Sequence, residues 1–555
     1  MEPTNYASLA KGEATKRLIS QLVNERLVVI SLPDGIDQPC AHISGPDTTA
    51  KWITLPVMEG LNPSTHFRPN DFGTPVKLCS DDGEIIEEDP GSIFTFTASW
   101  FACDEKTKLS IVDELRNSAS MLEKWMELGS KAPILDINSS FIDWERSLIA
   151  GHPTHPFHRT CFANHLLPSV TPDDIPNLLS PGMSFVSVPS SSIQHFGPFD
   201  NLLQPLLKLI GVPPPSTHDD YTVVPCLSRH LPALLHFFPE ATLVKSVDGR
   251  ALAQASIRTV SVPSFDHDLK LSLACLITSG LRVLPCYSAE AAPAMTRLLK
   301  GLIPQDLWLC GEVAAVTGSQ PNTEEAQYIT CILRENLELR AEENNESIIL
   351  VAALLERPRC GTKTYAEILF NLETTEDKVV WLKSYLRKLL SVALDPVTRH
   401  GVAFEFHAQN AVVRVCRRTK EIKGFAIRDL GGVRMHRPTL ESQGFDLKGM
   451  DESLTDDVHQ VWDRTHHVLI QNHIGYLIYS LRLEREYGGW QLVFSELERA
   501  LEGDGDSTSQ KIFHYLVKST MPFKAFLRMR MESAMSVNFN NVNQQIPNIL
   551  LHKTP

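Results

Sequence analysis

The chain is 555 residues long, which exceeds what a single hydrophobic core usually supports. We therefore expect two to three packed subdomains rather than one. Hydrophobic residues make up 43% of the sequence and charged residues 21%, which are ordinary values for a globular protein. This balance leaves little room for long disordered segments, so the chain is expected to fold throughout.

The net charge limits which partners the chain is expected to bind. At a formal charge of −14, the protein as a whole repels nucleic acid and anionic membrane surfaces. The sequence has no apolar run of the ~18 residues that span a bilayer, and its amino terminus lacks a secretory signal pattern. The eleven cysteines are scattered without a C-x-x-C pair, which is typical of a reducing compartment. We expect a cytoplasmic protein that binds neither nucleic acid nor membrane.

Periodicity and loop composition divide the chain into three regions. Their predicted boundaries are 1–150, 151–321 and 322–555. Helical periodicity over Lys106–Leu128 and Ser139–Ile149 belongs to the first region, which ends at Gly151. The second region mixes strand-like runs such as Met183–Val188 with a helix over Ala289–Ile303.

The third region combines strands with long helices. Its predicted strands are Gln327–Leu333, Ser347–Leu355, Val402–Val415 and Gly424–Leu430, and its predicted helices are Glu376–Ala393, Asp456–Leu483 and most of the chain beyond Leu483. The whole pattern predicts an α+β fold with mixed antiparallel sheets and a helical C-terminal part.

The strongest candidate site lies in the segment Phe404–Asn410. Side chains alternate along a strand, so the apolar residues of this segment would pack on one face. The opposite face would be polar and would carry Glu405, His407 and Gln409. The alternative is a polar strand that merely faces solvent.

The sequence then turns back through the polar segment Arg417–Lys423 to Ile427–Gly432. A hairpin of this kind would bring Asp429 close to Asn410 or His407. A carboxylate and an amide aimed at one point can hold Mg²⁺ together with nucleotide phosphates, because Mg²⁺ prefers a few protein oxygens plus substrate oxygens.

The second candidate site combines three cations with hydroxyl side chains. Its residues are Ser256, Arg258, Thr259, Lys270, Thr278 and Arg282. If Ser256–Arg258 is extended, the cations would converge at one edge of a sheet. Fixed cations and hydroxyl donors stabilise the charge on a phosphoryl group under attack. The alternative is a set of separate surface cations with solvated head groups.

The third candidate site is the histidine-rich segment Gly151–Arg159. A zinc site is disfavoured there, because neither a thiolate pair nor a nearby carboxylate completes the usual four ligands. Rigid presentation of hydrogen-bond donors to an anionic ligand fits the segment better.

These segments, in this order, resemble the IucA/IucC family of siderophore synthetases, which work without a peptide-synthetase assembly line. The resemblance covers roughly residues 150 to 435. It rests on the Gly-His-Pro-x-His-Pro and Ser-x-Arg-Thr segments, the spacing of Lys270, Thr278 and Arg282, the His-x-Gln-Asn segment and the Arg-Asp turn.

The resemblance implies a cupped-hand architecture of thumb, fingers and palm, matching the three regions. It also implies that ATP and Mg²⁺ bind between fingers and palm and that the protein forms a homodimer. Family members commonly activate citrate or a related carboxylic acid as an acyl-adenylate and pass the acyl group to an amine or hydroxyl. The sequence agrees that no P-loop would hold the phosphates, since it contains no G-x-x-x-x-G-K-[ST] motif.

The resemblance assigns a role to each candidate residue. The residues implied to bind ATP are Ser256, Arg258, Thr259, Lys270, Thr278, Gln409 and Asn410. Those implied to bind the substrate carboxylate are His152, His155, Arg159, Arg282 and His407. Catalysis would fall to His407, Arg282 and Lys270, and Mg²⁺ to Glu405 and Asp429.

Two positions depart from the family pattern. Arg159 stands where the family usually has a lysine, and Cys161 stands where it usually has an arginine. Arginine offers a planar fork in place of a point donor, and Cys161 removes a cation altogether. The departures suggest a different carboxylate substrate.

Two other functions compete with the ligase. One is a small-molecule phosphotransferase, because a histidine segment, an asparagine and a following aspartate loosely resemble kinase catalytic loops. The other is a catalytically silent relative that binds a polycarboxylate or ferric chelate.

Overall fold

A computed structural model describes residues 4–33, 39–47, 50–59, 61, 66–212, 220–278, 280–484, 488–502, 507–532 and 543–551. It combines helices with sheets whose strands pair almost entirely in antiparallel fashion, which confirms the predicted α+β class. Among the helices of these residues, none is both long enough and apolar enough to cross a membrane.

The N-terminal part packs helices against a five-stranded antiparallel sheet in which each strand pairs with the next. Its elements are α1 (Tyr6–Asn24), β1 (Val29–Ser31), β2 (Cys40–Ser44), β3 (Lys51–Pro56), β4 (Val76–Ser80), β5 (Gly83–Glu87), α2 (Pro90–Thr97), α3 (Glu105–Lys131) and α4 (Phe141–Arg146). The helix predicted over Lys106–Leu128 is confirmed as α3. The helix predicted over Ser139–Ile149 is partly wrong, because α4 ends at Arg146. Beyond it, the backbone N–H groups of Ile149 and Ala150 donate to the Glu356 carboxylate instead of continuing the helix.

Most strands of the middle part belong to three sheets, one of them six-stranded. Its elements are β6 (Cys161–Ala163), α5 (Ile175–Leu179), β7 (Met183–Pro189), β8 (Ile193–Phe196), α6 (Phe199–Ile210), β9 (Tyr221–Leu227), α7 (Leu231–Phe237), β10 (Thr242–Val247), β11 (Leu252–Ala253), β12 (Thr259–Ser261), β13 (His267–Leu271), β14 (Leu273–Ile277), β15 (Gly280–Arg282), α8 (Cys286–Lys300), β16 (Leu307–Leu309) and β17 (Glu312–Gly318). The predicted strand at Met183–Val188 and the predicted helix near Ala289–Ile303 are confirmed as β7 and α8.

The C-terminal part contributes further strands and most of the remaining helices. Its elements are α9 (Thr323–Ala326), β18 (Cys331–Glu335), α10 (Glu338–Glu343), β19 (Glu346–Leu350), α11 (Val351–Leu355), α12 (Tyr365–Phe370), α13 (Thr375–His400), β20 (Val402–Ala403), β21 (Ala411–Cys416), β22 (Ile422–Ile427), β23 (Arg434–His436), α14 (Arg437–Ser442), β24 (Leu454–Thr455), α15 (Val458–Thr465), a π-helical segment (His466–Ile474), α16 (Gly475–Ser480), α17 (Gly489–Glu502), α18 (Ser507–Leu516), β25 (Thr520–Lys524), α19 (Phe526–Glu532) and β26 (Asn543–Pro547).

Three predictions for this part need correction. The run Ser347–Leu355 is not one strand, since β19 gives way to α11; a continuous apolar run carries no period that separates strand from helix. The run Gln327–Leu333 begins as a 3₁₀ turn before β18. The end of the chain is not wholly helical, because β25 and β26 form an antiparallel pair.

Two sheets bring the candidate segments together. The six-stranded sheet has the order β11-β12-β13-β18-β17-β8, and the four-stranded sheet has the order β16-β22-β21-β19. The core around the four-stranded sheet also takes in Trp144 from α4 and Met295 from α8. Packing therefore crosses the three predicted regions, and their boundaries stay a prediction.

Candidate active site

A cavity of about 690 Å³ lies between α1, α3 and the edges of the two sheets. All fourteen candidate residues line it: His152, His155, Arg159, Ser256, Arg258, Thr259, Lys270, Thr278, Arg282, Glu405, His407, Gln409, Asn410 and Asp429. Its volume falls in the range of small-molecule sites, ~300–1,000 Å³. The fold thus brings segments that are far apart in the sequence together around one cavity. The role of each residue stays a prediction.

The centre of the cavity holds a buried triad of charges. Lys270 on β13 donates to Glu312 and to Asp429, with N–O distances of 2.8 Å to each. Burial alone would lower the pKa of Lys270, but the two carboxylates outweigh burial and raise it. Burial would likewise raise the pKa of Asp429, yet Lys270 and Arg258 hold it far below its usual value. Lys270 and Asp429 are therefore both charged at neutral pH.

Asp429 sits immediately beyond β22 in an unusual backbone conformation. Its φ is +64°, a region that non-glycine residues rarely occupy. Such strain persists only where the surrounding structure fixes it, and it is concentrated at functional sites. Here the strained turn aims the carboxylate at Lys270.

The segment Phe404–Asn410 is not a strand, contrary to our prediction. β20 ends at Ala403, and the next residues form a bend and a turn in which Ala408 bonds to the backbone of Asn472 and of Ala352 rather than to a neighbouring strand. The predicted alternation is nevertheless present. Phe404, Phe406 and Ala408 are buried, while Glu405, His407 and Gln409 line the cavity.

Glu405 is the hub of this segment. Its carboxylate accepts hydrogen bonds from Asn410 and from Arg464, both at 3.2 Å, and lies 3.8 Å from His407 Nε2. Burial lowers the pKa of His407 against the opposing effect of Glu405 and Asp429. His407 is therefore a neutral imidazole at neutral pH.

The turn at Gly431–Gly432, which follows Asp429, leaves space for the Glu405 side chain. A Cβ on Gly432 would overlap the Glu405 side chain, whereas one on Gly431 would meet its nearest atom, Asp429 Oδ1, at 3.7 Å. We expect Gly432→Ala to lower the free energy of unfolding by ~1–3 kcal/mol through overpacking. Urea denaturation measures the change, with Gly431→Ala as the matched control. Equal stabilities for the two variants would contradict this account.

The segment Ser256–Arg258 forms a turn before β12, so the extended conformation that we considered for it is wrong. Ile257 has φ +65°, and the Ser256 hydroxyl donates to the Thr259 hydroxyl at 3.0 Å. The turn still directs Arg258 towards Arg282, whose backbone carbonyl accepts from the Arg258 guanidinium at 3.3 Å. The cations therefore converge, but through a turn instead of a strand.

Arg282 on β15 is only partly satisfied by protein groups. Its Nη2 donates to the backbone carbonyl of Ile277 at 2.9 Å, whereas its buried Nε has no hydrogen-bond partner among the described residues. Burial lowers the pKa of this guanidinium to about 10, so it remains charged at neutral pH. A buried, charged donor without a partner is suited to an anionic ligand.

The histidine-rich segment supplies uncharged donors. Burial holds the pKa values of His152 and His155 well below the ordinary value. Phe157 N–H donates to Nδ1 of His155 at 3.1 Å, so in the neutral ring the proton is on Nε2. Within the described residues, no group of three or more histidine, cysteine, aspartate or glutamate side chains is arranged to hold a metal.

Arg159 lines the cavity, but its guanidinium already forms contacts within the protein. It donates to the backbone carbonyls of Ile149, at 3.0 Å, and Leu148, and it lies 3.9 Å over the ring of Trp125. Burial lowers its pKa to about 10. Its implied contact with a substrate carboxylate stays a prediction.

We did not predict from the sequence the buried ion pair that connects several segments of the cavity lining. Glu145 on α4 pairs with Arg428, and Arg428 donates to the backbone carbonyl of Gln409 at 2.8 Å. Glu145 also accepts from the backbone N–H of Ala255 at 3.0 Å. Arg428 was visible beside Asp429, but nothing in the sequence around Glu145 indicates its distant partners.

Two further cations come from opposite ends of the chain. Arg17 on α1 and Lys524 on β25 both line the cavity. A weak signal for Arg17 existed, since Glu13, Arg17 and Gln21 recur at the four-residue spacing of one helical face. Lys524 ends β25, whose antiparallel pairing with β26 we did not predict.

Comparison with known proteins identifies relatives of the whole chain. A family model described as the IucA / IucC family matches residues 241–356, and one described as ferric iron reductase FhuF-like transporter matches residues 380–535. An NRPS-independent siderophore synthetase-like protein of Aspergillus thermomutatus is 40% identical over 561 residues, covering 96% of this chain and 91% of that protein. D-ornithine–citrate ligase of Staphylococcus aureus is 24% identical over 406 residues, covering 63% of this chain and 60% of the ligase.

The solved structures agree on the fold. ATP-bound aerobactin synthetase IucA from Klebsiella pneumoniae matches with a TM-score of 0.76 at 15% identity, covering 97% of this chain and 99% of that chain. Identity over nearly the full length, the family model and this shared fold lead to one conclusion: the chain belongs to the IucA/IucC family of NRPS-independent siderophore synthetases.

Proposed function

We propose that the protein is an ATP-dependent ligase that activates a citrate-like polycarboxylate as an acyl-adenylate. It then joins the acyl group to an amine, or to a hydroxyl, in the biosynthesis of a siderophore or related secondary metabolite. The observation that carries the proposal is the single cavity in which Arg258, Lys270 and Arg282 face Asp429 and Glu405. Two relatives named for siderophore synthesis and for ornithine–citrate ligation support the reaction class.

The first step brings two anions together. An oxygen of the carboxylate would attack the α-phosphorus of ATP, and the bond from that phosphorus to pyrophosphate would break. The barrier is largely electrostatic, so fixed cations at the reacting groups should lower it. Within the described part of the chain, neither Arg258 nor Arg282 forms an ion pair with a carboxylate, so both would be able to face the phosphates and the acid.

The second step releases AMP. The nitrogen of the amine would attack the acyl carbon, the bond from that carbon to AMP would break, and the amine would lose a proton. A neutral imidazole can accept that proton, and burial keeps His407 neutral at neutral pH. His407 is therefore our candidate for the base.

The carboxylates fit a Mg²⁺ ion that arrives with the nucleotide. Mg²⁺ usually takes one or two protein carboxylates and completes its shell with phosphate oxygens and water. Asp429 and Glu405 flank the Gly431–Gly432 turn and both line the cavity. When bound there, Mg²⁺ would neutralise phosphate charge.

The reaction is tested by product analysis with a panel of di- and tricarboxylates. We expect carboxylate-dependent exchange of pyrophosphate into ATP, and AMP as the nucleotide product once an amine is present. Formation of ADP would favour the phosphotransferase, and tight binding of a polycarboxylate without any turnover would favour the silent binding protein. The homodimer implied by the family needs a separate measurement of mass in solution.

The role of Arg282 gives a sharper prediction. Arg282→Met should lower pyrophosphate exchange by ~10²-fold or more, because it removes a preorganised donor from the site of charge development. The KM for the carboxylic acid should rise as well. Arg297→Met, on the neighbouring helix α8 and outside the cavity lining, is the matched control. Normal exchange in Arg282→Met would remove this residue from the site.

A further inference from the structure

The cavity lining includes a buried cation, Arg17, to which the proposed reaction assigns no role. Arg17 on α1 is 2% exposed, and among the described residues its Nε and Nη1 have no hydrogen-bond partner. A buried guanidinium with unpaired donors is costly unless a ligand completes it. Nε and Nη1 of Arg17 are therefore suited to hydrogen-bond an anionic ligand.

Contacts between α1 and the histidine-rich segment fix the position of Arg17. One turn further along α1, Gln21 donates to the backbone carbonyl of Thr154 at 3.1 Å, which fastens this face of the helix to the histidine-rich segment. The charge of Arg17 is close enough to lower the pKa of His155. His155 adds a second unpaired buried donor, because its Nε2 has no partner among the described residues.

Two carboxylates lie near Arg17, but both are committed to other groups. Glu13 accepts from Lys16 at 2.7 Å. One oxygen of Glu356 accepts from the backbone N–H groups of Ile149 and Ala150 at 3.0 and 2.9 Å. Neither is a hydrogen-bond partner of Nε or Nη1 of Arg17. Nε and Nη1 of Arg17 thus remain available to a ligand.

Arg17 comes from a different part of the chain than the groups assigned to the first step. Arg258, Lys270 and Arg282 come from the turn and strands of the middle part, whereas Arg17 comes from α1. The same helix places Leu9, which is 46% exposed, on the cavity lining, so α1 reaches towards solvent. A second substrate that enters after the adenylate has formed would pass this helix.

We propose that Arg17, with His155 beside it, is an anion subsite for the second substrate. The amine or hydroxyl substrate would therefore carry a carboxylate of its own, as an amino acid does, and this carboxylate would pair with the Arg17 guanidinium while the nucleophile faces the acyl group. The inference rests on the proposed ligase reaction and specifies the chemical class of its acceptor.

The test separates the two half-reactions in the purified full-length protein. Pyrophosphate exchange reports adenylate formation, and hydroxylamine, which has no carboxylate, traps the acyl group as a hydroxamate. Ornithine and putrescine, or 2,3-diaminopropionate and ethylenediamine, then compete with hydroxylamine; each pair differs only by a carboxylate. We expect the carboxylated member to compete at least about tenfold better, because only that member can form charge-assisted hydrogen bonds with the guanidinium.

Arg17→Met should abolish this preference while exchange and hydroxamate formation stay within about twofold of the original protein. Arg17→Lys, which keeps the charge, should retain part of the preference. Lys11→Met removes an exposed cation from the same helix and should change nothing. Absence of a preference in the original protein, or its persistence in Arg17→Met, would overturn the proposal.

Two other results distinguish failure of the Arg17 inference from failure of the proposed ligase reaction. A rise of the KM for the carboxylic acid in exchange, caused by Arg17→Met, would overturn the inference by assigning Arg17 to the first substrate. Failure of exchange and of hydroxamate formation with every acid would instead overturn the proposed ligase reaction itself.

Discussion

Replacing Asp429 by asparagine should reduce carboxylate-dependent pyrophosphate exchange by ~10²–10³-fold. The substitution removes the negative charge that pairs with Lys270 at 2.8 Å and that would contact Mg²⁺. Asparagine keeps the shape of the side chain, and it tolerates the positive φ of +64° at this position better than most residues. The loss should therefore arise from charge rather than from a rearranged turn.

The stability of this variant serves as its internal check. Lys270 keeps Glu312 as a partner at 2.8 Å, so Asp429→Asn should remain folded in urea denaturation. Asp451→Asn, in an exposed pair with Arg437, is the matched control and should retain full exchange. If Asp429→Asn is folded and exchanges pyrophosphate at the normal rate, the carboxylate does not act in the first step.

The second large effect is expected from Glu145→Ala, which should lower the free energy of unfolding by ~3–5 kcal/mol. The variant leaves the buried guanidinium of Arg428 without its carboxylate and the backbone N–H of Ala255 without its acceptor. Because Arg428 also holds the carbonyl of Gln409, pyrophosphate exchange should fall as well.

Urea denaturation and exchange assays at a temperature where the variant is folded measure both effects. Glu145→Gln, which keeps an oxygen acceptor, should have an intermediate stability. Glu123→Ala, on the exposed face of α3, is the matched control and should change stability by less than ~0.5 kcal/mol. If Glu145→Ala lowers the free energy of unfolding by less than ~1 kcal/mol, this ion pair does not stabilise the segments that line the cavity.

Much of the local structure could be predicted because it depends on neighbours in the sequence. The three- and four-residue spacing in Lys106–Leu128 predicts α3, and the polar turn Arg417–Lys423 predicts the hairpin of β21 and β22. At Phe404–Asn410 the predicted strand is wrong, yet the alternation of buried and cavity-facing side chains is present. The order of apolar and polar residues decides which side chains are buried even where the backbone is irregular.

By itself, then, the sequence indicated the α+β class, the resemblance to the family and fourteen of the residues that line the cavity. Only the tertiary structure decided how those residues are paired: Lys270 with Asp429 and Glu312, Arg159 with backbone carbonyls, and Glu145 with Arg428. Helical and strand patterns are short-range and repeat within a few residues. The partner of a buried charge depends on the path of the whole chain, and no local pattern records it.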